Sequence, residues 1–309
     1  MILLPDSTAW IVLVLIAVVA QTFRNFAQRS IGKQTNIWAA VLVRFLYGFP
    51  FAALAVFGLM AGQGPLPPAS AFVPAYWMWL GLASVAHVLA TGWLLMTMSK
   101  RNFVIAVALS KTELIQIIVF AMLLLQQLPT LPVLFSILIV SIGLCALAAP
   151  EWRTIGRGNH MSTLLLGLAS GAGFALAALG FREAGLILLD HHSLSLSPLY
   201  AGVLNLFMAQ LIQTVVLGGW LMLADPGALV SIIKQWRSSL GAGFCGALAS
   251  MAWFTAYVLR PAAEVRTLGM LEVVLSYIVS RRLLSERTTA REIAAIALIC
   301  TGVVIAALF

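Results

Sequence analysis

The sequence predicts an all-α polytopic membrane protein, with ten transmembrane helices built as two inverted five-helix repeats. Three observations lead there. The 309 residues are 62% hydrophobic and only 9% charged, and their mean hydropathy of +1.03 exceeds what the core of a water-soluble domain requires. Apolar stretches of roughly 18 or more residues, each able to cross a ~30 Å hydrocarbon layer as a helix, recur along the whole chain. A glutamate also recurs in mid-helix at matching places in two of those stretches, Glu113 and Glu272.

Turn and charge punctuation places helices near 8–27, 36–61, 75–98, 102–126, 131–149, 161–189, 197–223, 238–258, 263–284 and 289–309. The breaks are residues 62–68, Leu128-Pro129-Thr130, residues 150–160, Asp225-Pro226-Gly227, Arg260-Pro261 and Ser285-Glu286-Arg287. The first run has no basic stretch before it and no small-residue cleavage site after it, so it is expected to remain as helix one. Cys145, Cys245 and Cys300 all lie in apolar runs, and three cysteines so placed support neither a disulfide framework nor a metal cluster. No metal and no cofactor is expected.

The net charge of +8 is spread singly and in pairs over helix ends instead of forming one stripe, so it speaks for topology and against nucleic acid. Lysine and arginine near helix ends are held on the cytoplasmic face. Connections one–two (Arg24, Arg29, Lys33), three–four (Lys100, Arg101), five–six (Arg153, Arg157), seven–eight (Lys234, Arg237) and nine–ten (Arg281, Arg282, Arg287, Arg291) hold 13 of the 18. The other side holds Arg182, Arg260 and Arg266, while Arg44 and Lys111 fall within helices. Both termini are therefore expected outside the cytoplasm, in a bacterial inner (plasma) membrane. Trp10, Trp38, Trp77, Trp79, Trp152, Trp220 and Trp236 stand at run ends and read as interface anchors.

Residues 101–149 align on 260–308 without a gap, pairing Arg101 with Arg260, Glu113 with Glu272 and Gly143 with Gly302. Shifts of one residue pair Gly81 and Trp93 with Gly241 and Trp253, and Phe23-Arg24 with Phe181-Arg182. This divides the chain into repeats 1–150 and 151–309. Five helices per repeat is an odd number, so the second repeat must cross the membrane in the opposite sense, the plan of many secondary transporters.

The stretch from Glu272-Val273-Val274 to Leu283-Leu284-Ser285-Glu286-Arg287, with the small-residue helix ending Cys300-Thr301-Gly302-Val303-Val304, resembles the EamA-type proteins of the drug/metabolite transporter superfamily. Their pattern is Glu-Pro-Val, an apolar run and Leu-Gly-Glu-Arg, at the same spacing between the acids. Val43-Arg44-Phe45 is similar to the family's Arg-Phe in helix two. The family proline is replaced by Leu114 and Val273, and Gln127 stands for the second acid of the first half. The resemblance implies a ten-helix carrier of small metabolites, drugs or amino acids working by alternating access. It names no substrate.

A charge at the centre of a membrane helix costs about 2.5–3.5 kcal/mol on insertion scales, so Glu113 and Glu272 are expected to face the bundle interior. They either bind a cationic group or exchange protons, or they form buried ion pairs with Lys111, Arg44 or Arg266. Lys111, two residues from Glu113, is about 200° away on a regular helix and is expected to meet another helix. Arg44 either lines a cavity or extends to the cytoplasmic surface. Ser84, His87 and Thr91, and likewise Ser250, Trp253 and Tyr257, form stripes at i, i+3 and i+7, as a cavity wall or an interhelical hydrogen-bonding face would. Ser276 and Ser280 continue the face of Glu272, and Ser110 and Gln116 flank that of Glu113. Trp93 and Trp253 either enclose part of a substrate or belong to the interface belt. Gly167, Gly171 and Gly173, with Gly241, Gly243 and Gly246, permit close helix packing.

A small-molecule carrier for an amino acid, amine or related compound, with or without proton coupling, is the expected function; an organic-anion or drug exporter of the same fold is the alternative. Its partners are the substrate and the lipid bilayer. The oligomeric state is open, and a monomer suits the pattern. An enzyme is not expected, since Asp190-His191-His192 lacks both HExxH spacing and a nucleophile elbow.

Overall fold

In hydrocarbon every backbone N–H and C=O must be paired within the protein, which leaves helix as the accessible form for apolar stretches of this length. The computed structural model describes residues 6–32, 36–100, 106, 109–155, 161–190, 196–234, 236–284 and 289–308, with helices throughout and no strand among them. The helices are α1 (Asp6–Gly32), α2 (Ile37–Leu46), α3 (Phe49–Gln63), α4 (Pro74–Lys100), α5 (Glu113–Leu125), α6 (Leu131–Ile155), α7 (Met161–Leu189), α8 (Pro198–Ala224), α9 (Pro226–Lys234), α10 (Trp236–Leu259), α11 (Ala262–Leu268), α12 (Leu271–Leu284) and α13 (Ala290–Leu308). Expectations resting on Lys33, Arg101, Arg157, His191, His192, Glu286 and Arg287 fall outside the described residues, as do those on the side chains of Arg29, Lys100, Trp152, Arg153, Ser280, Arg281 and Arg282.

Among the described residues seven stretches are long and apolar enough to cross a membrane: Thr8–Asn25, Ile37–Gln63, Pro74–Ser99, Met161–Leu189, Pro198–Ala224, Ser239–Leu259 and Ala290–Leu308. Glu113–Leu125 and Leu131–Leu147 are shorter apolar helices. The chain is thus an all-α integral membrane protein.

The second expected helix is two, α2 and α3, parted at Tyr47–Gly48. Pro50 has no N–H to offer the Leu46 carbonyl, and its ring would crowd that carbonyl, so the helix restarts with proline in its first turn. At the far end α3 stops on Gly64 at φ 110°, a conformation that favours glycine. A short helix, α9, fills part of a connection expected as a loop, opened by the Asp225 side chain accepting from the Ala228 amide at 3.0 Å.

The chain forms two compact units, Met1–Val88 with Leu176–Pro261 and Leu89–Ala175 with Ala262–Phe309. Each draws on both halves of the sequence, and α4 and α7 contribute to both. In the first unit α1 lies along α10, and α8 packs on α10, α2 and α3. Close approach depends on glycine: a Cβ on Gly202 of α8 would fall 2.7 Å from the Thr255 amide nitrogen of α10, and one on Gly243 would fall 2.5 Å from the Tyr47 backbone.

In the second unit α6 lies along α13. A Cβ on Gly143 would meet the Ala295 carbonyl and Ile299, and a Cβ on Gly302 would meet the Ser136 carbonyl and Val140, all within 3.0 Å. These contacts interchange under the 159-residue offset that aligns 101 with 260. Helix α6 therefore touches α13 as α13 touches α6, which is the reciprocity of a two-fold contact.

Gly302→Leu is expected to lower the thermal midpoint of the purified protein, by the equivalent of about 1–3 kcal/mol or more for an overpacked contact. Gly241→Ala, where a Cβ would meet nothing within 4 Å, is expected to leave it unchanged. Equal behaviour of the two variants would remove the reciprocal-packing account.

Candidate functional site

The two stretches that carry the recurring glutamates are both interrupted just before them. Lys111 and Thr112 form a turn ahead of α5, and Gly269 and Met270 form one between α11 and α12. The backbone tightens there and stays bonded: Thr112 donates to the Leu109 carbonyl, Leu114 to Lys111 and Ile115 to Thr112. The same three-residue steps recur at Met270 to Thr267, Glu272 to Gly269 and Val273 to Met270. Tightened turns inside a membrane helix keep the backbone paired while redirecting the side chains. On α7, a Cβ on Gly171 would fall 2.7 Å from Thr112 Oγ1, 2.9 Å from the Ser110 carbonyl and 3.0 Å from the Glu113 amide nitrogen, so only glycine lets α7 lie against this turn.

Glu113 and Glu272 open their half-helices, where the N-terminal dipole favours a carboxylate. Both are buried. Lys111 Nζ lies 2.6 Å from Glu272 Oε2 and 3.3 Å from Glu113 Oε1. Arg266, on α11, sets its Nη2 at 2.6 Å and 2.5 Å from the two Glu113 oxygens. The result is a buried chain of four alternating charges, Glu272, Lys111, Glu113 and Arg266, that is formally neutral. Lys111 does meet another helix, at Glu272 of α12, but the expectation that it would not share a face with Glu113 is corrected: the tightened turn and the long lysine stem bring its ammonium to its own neighbour as well. Arg266, one of the cations named as a possible partner of the glutamates, is inside α11 and supplies the second cation.

Also in this unit, Thr91, Ser110 and Ser276 are buried and Trp93 is half-buried. Ser276 Oγ, one turn after Glu272, has no hydrogen-bond partner. Gln116 donates to the Leu168 carbonyl of α7 at 3.2 Å, and Ser170 to the Ala90 carbonyl of α4 at 2.9 Å. The first bond ties the glutamate-bearing α5 to α7, and the second ties α7 to α4.

The first unit gathers Ser84, His87, Arg44, Ser250, Trp253 and Tyr257, all buried. His87 Nδ1 stands 3.1 Å from Gln213 Nε2, which it accepts from when its ring proton is on Nε2, and its ring meets Phe45 and Phe181 edge-on. Trp253 donates to Gln21 Oε1 at 2.9 Å and stacks on Tyr257, with centroids 6.0 Å apart. Arg44 donates to Ser250 Oγ at 3.3 Å and does not extend to the surface.

Several residues here were not anticipated. Gln21, Arg24, Asn25 and Gln28 form one buried face of α1, at a spacing visible in the sequence. Arg24, counted with a cytoplasmic connection, is inside the helix and donates to Asn25 Oδ1 at 2.7 Å. Arg182, within α7 as the helix bounds expected, also caps α10 by donating to the carbonyls of Tyr257 and Arg260. Trp10, expected at the lipid interface, is 1% exposed beneath the Arg260 guanidinium, whereas Trp77, Trp220 and Trp236 are exposed near helix ends. Among the described residues no three histidine, cysteine or carboxylate side chains gather as metal ligands would.

No protein-family model and no curated protein sequence matches the chain. It is similar to a solved structure described as "Crystal structure of protein", with a TM-score of 0.69 and 13% identity over 97% of this chain and 96% of that chain. At that identity the likeness is one of fold.

Removing one member of a buried ion pair strands its partner, at a cost of about 3–5 kcal/mol. Arg266→Met is therefore expected to destabilise the protein strongly in a thermal melt, and Arg266→Met with Glu113→Gln to recover part of the loss. A single variant as stable as the parent would contradict the pairing.

Proposed function

We propose that the protein is a secondary transporter of a small polar metabolite, an amino acid, amine or related compound, working by alternating access with ten transmembrane helices in two inverted repeats. The observation that carries this reading is the neutral, buried chain of four charges seated on two interrupted helices. Charged groups in a membrane interior are expensive and mark ion or substrate paths, and interrupted helices are where carriers build such sites. The interchange of contacts at Gly143 and Gly302 supports the repeat, and the α5, α6 and α11–α12 stretches supply the three crossings beyond the seven long ones. The resemblance to EamA-type carriers agrees with all of this.

In this reading Lys111 and Arg266 neutralise the glutamates while the site is at rest, and a substrate ammonium group or a proton competes with Lys111 for them during the cycle. An exchangeable partner is a better basis for transport than a bare carboxylate, because the membrane cost is met at every stage. An organic anion is the second reading, favoured by Arg24 and Arg44 buried in the first unit. The charge bias puts both termini outside the cytoplasm, in an inner (plasma) membrane.

Proteoliposomes holding the purified protein are expected to take up one of a panel of labelled amino acids, amines and organic acids, with a rate that changes when a pH gradient is imposed. Glu113→Gln and Glu272→Gln are each expected to cut that rate by about tenfold or more, the scale of losing a positioned proton-transfer or charge-binding group. Unchanged transport in both variants would sink the role given to the glutamates. A C-terminal reporter active only in the cytoplasm should stay silent, and a signal from it would reverse the orientation.

A further inference from the structure

A second polar niche lies within the first unit, at the break between α2 and α3. Gln210, on α8, is 1% exposed, and neither its Nε2 nor its Oε1 has a hydrogen-bond partner. Buried side-chain amides are nearly always bonded, and one with both ends unbonded is a specific exception that calls for an account. Its Nε2 is 2.9 Å from where a Cβ on Gly48 would sit, and the carbonyls of Arg44 and Gly243 crowd the same point at 2.5 Å and 3.3 Å. The amide thus abuts the α2–α3 break, beside the last turn of α2.

That last turn carries Arg44, whose Nη2 donates to Ser250 Oγ at 3.3 Å. The stems of Arg44 and Arg24 both come within 3.3 Å of the place a Cβ on Gly246 would take. Gly243, Gly246 and Ser250 follow one another at i, i+3 and i+7 along α10; the missing Cβ of Gly243 admits the Tyr47 backbone and that of Gly246 admits both arginine stems, while the missing Cβ of Gly48 leaves room for the Gln210 amide. The charge of the unit points the same way. Its sequence holds eight lysines and arginines against four acids: Asp6 opens α1, Glu183 lies inside α7 beside Arg182, Asp190 follows α7, and Asp225 precedes α9.

We propose that this niche binds a small carboxylate bearing an N–H or O–H donor on the adjacent carbon, that is, a 2-amino or 2-hydroxy acid. A guanidinium presents a fork of donors matched to a carboxylate, and Gln210 Nε2 adds one more from the side. Gln210 Oε1 only accepts, so it needs a donor next to the carboxylate, which an amino or hydroxyl group supplies and a plain fatty acid does not. As a statement about what is carried, the assignment rests on the transport reading, so its test reads binding separately from transport.

The full-length protein in detergent is titrated calorimetrically with L-alanine, L-lactate and propionate, which differ at one carbon only in ammonium, hydroxyl or hydrogen. L-Alanine or L-lactate is expected to bind about tenfold or more tightly than propionate, as a site built to bond a donor rejects the analogue lacking it. Gln210→Leu is expected to abolish that preference while melting no lower than the parent, and Arg44→Gln to weaken all three. Absence of binding by all three acids, or a preference that survives Gln210→Leu, would overturn the proposal and leave Gln210 a hydrated amide. If the binding preference holds while proteoliposomes move no member of the panel of amino acids, amines and organic acids, the site stands and the transport reading falls.

Discussion

One ammonium group holds the second unit in register. Lys111 Nζ lies between Glu113 and Glu272, carboxylates on separate stretches of chain, and without it each would stand in a low-dielectric interior with one less countercharge. Arg266 completes the balance on Glu113. Because the group as a whole is neutral, four ionisable side chains can share an interior that would tolerate none of them alone. Neutrality also makes the arrangement exchangeable in principle: a ligand or proton that replaces Lys111 at one carboxylate changes which pair is satisfied without leaving a bare charge.

Backbone geometry makes the ionic chain possible. A regular helix would point Lys111 and Glu113 about 200° apart, and it is the tightened turn at 111–112 that brings them together. Gly171 allows α7 to close over that turn, where any side chain would strike Thr112 or the Ser110 carbonyl. Elsewhere the same device recurs, with Gly143 and Gly302 in the α6–α13 contact and Gly243 and Gly246 where α10 passes the α2–α3 break. In a membrane, where lipid offers helices no hydrophobic reason to associate, such close contact between small residues is a principal source of cohesion.

Much of this was legible from composition and periodicity. Apolar run lengths located the long helices, and the buried stripes Ser84/His87 and Ser250/Trp253/Tyr257 followed from i, i+3, i+7 spacing because that spacing is set by the helix itself. The helix interruptions at 111–112 and 269–270 left little trace, since neither contains proline and one is stabilised by a glycine sixty residues away. Charge counting said nothing of the buried and helix-capping bonds that Arg24, Arg182 and Arg266 make, because a basic residue near a helix end is as compatible with a buried partner as with the membrane surface. Which cation would meet which glutamate depended on tertiary approach and could not be read from position in the chain, and Gln210 gave no signal beyond being a polar residue in an apolar run.

The claim that Lys111 couples the two glutamate-bearing stretches is tested most directly by a double-mutant cycle on unfolding, using Lys111→Met, Glu272→Gln and the pair together. Contacting groups of this kind are expected to show a coupling of about 0.5–3 kcal/mol, with the double variant more stable than Lys111→Met alone. Strictly additive losses would contradict the account.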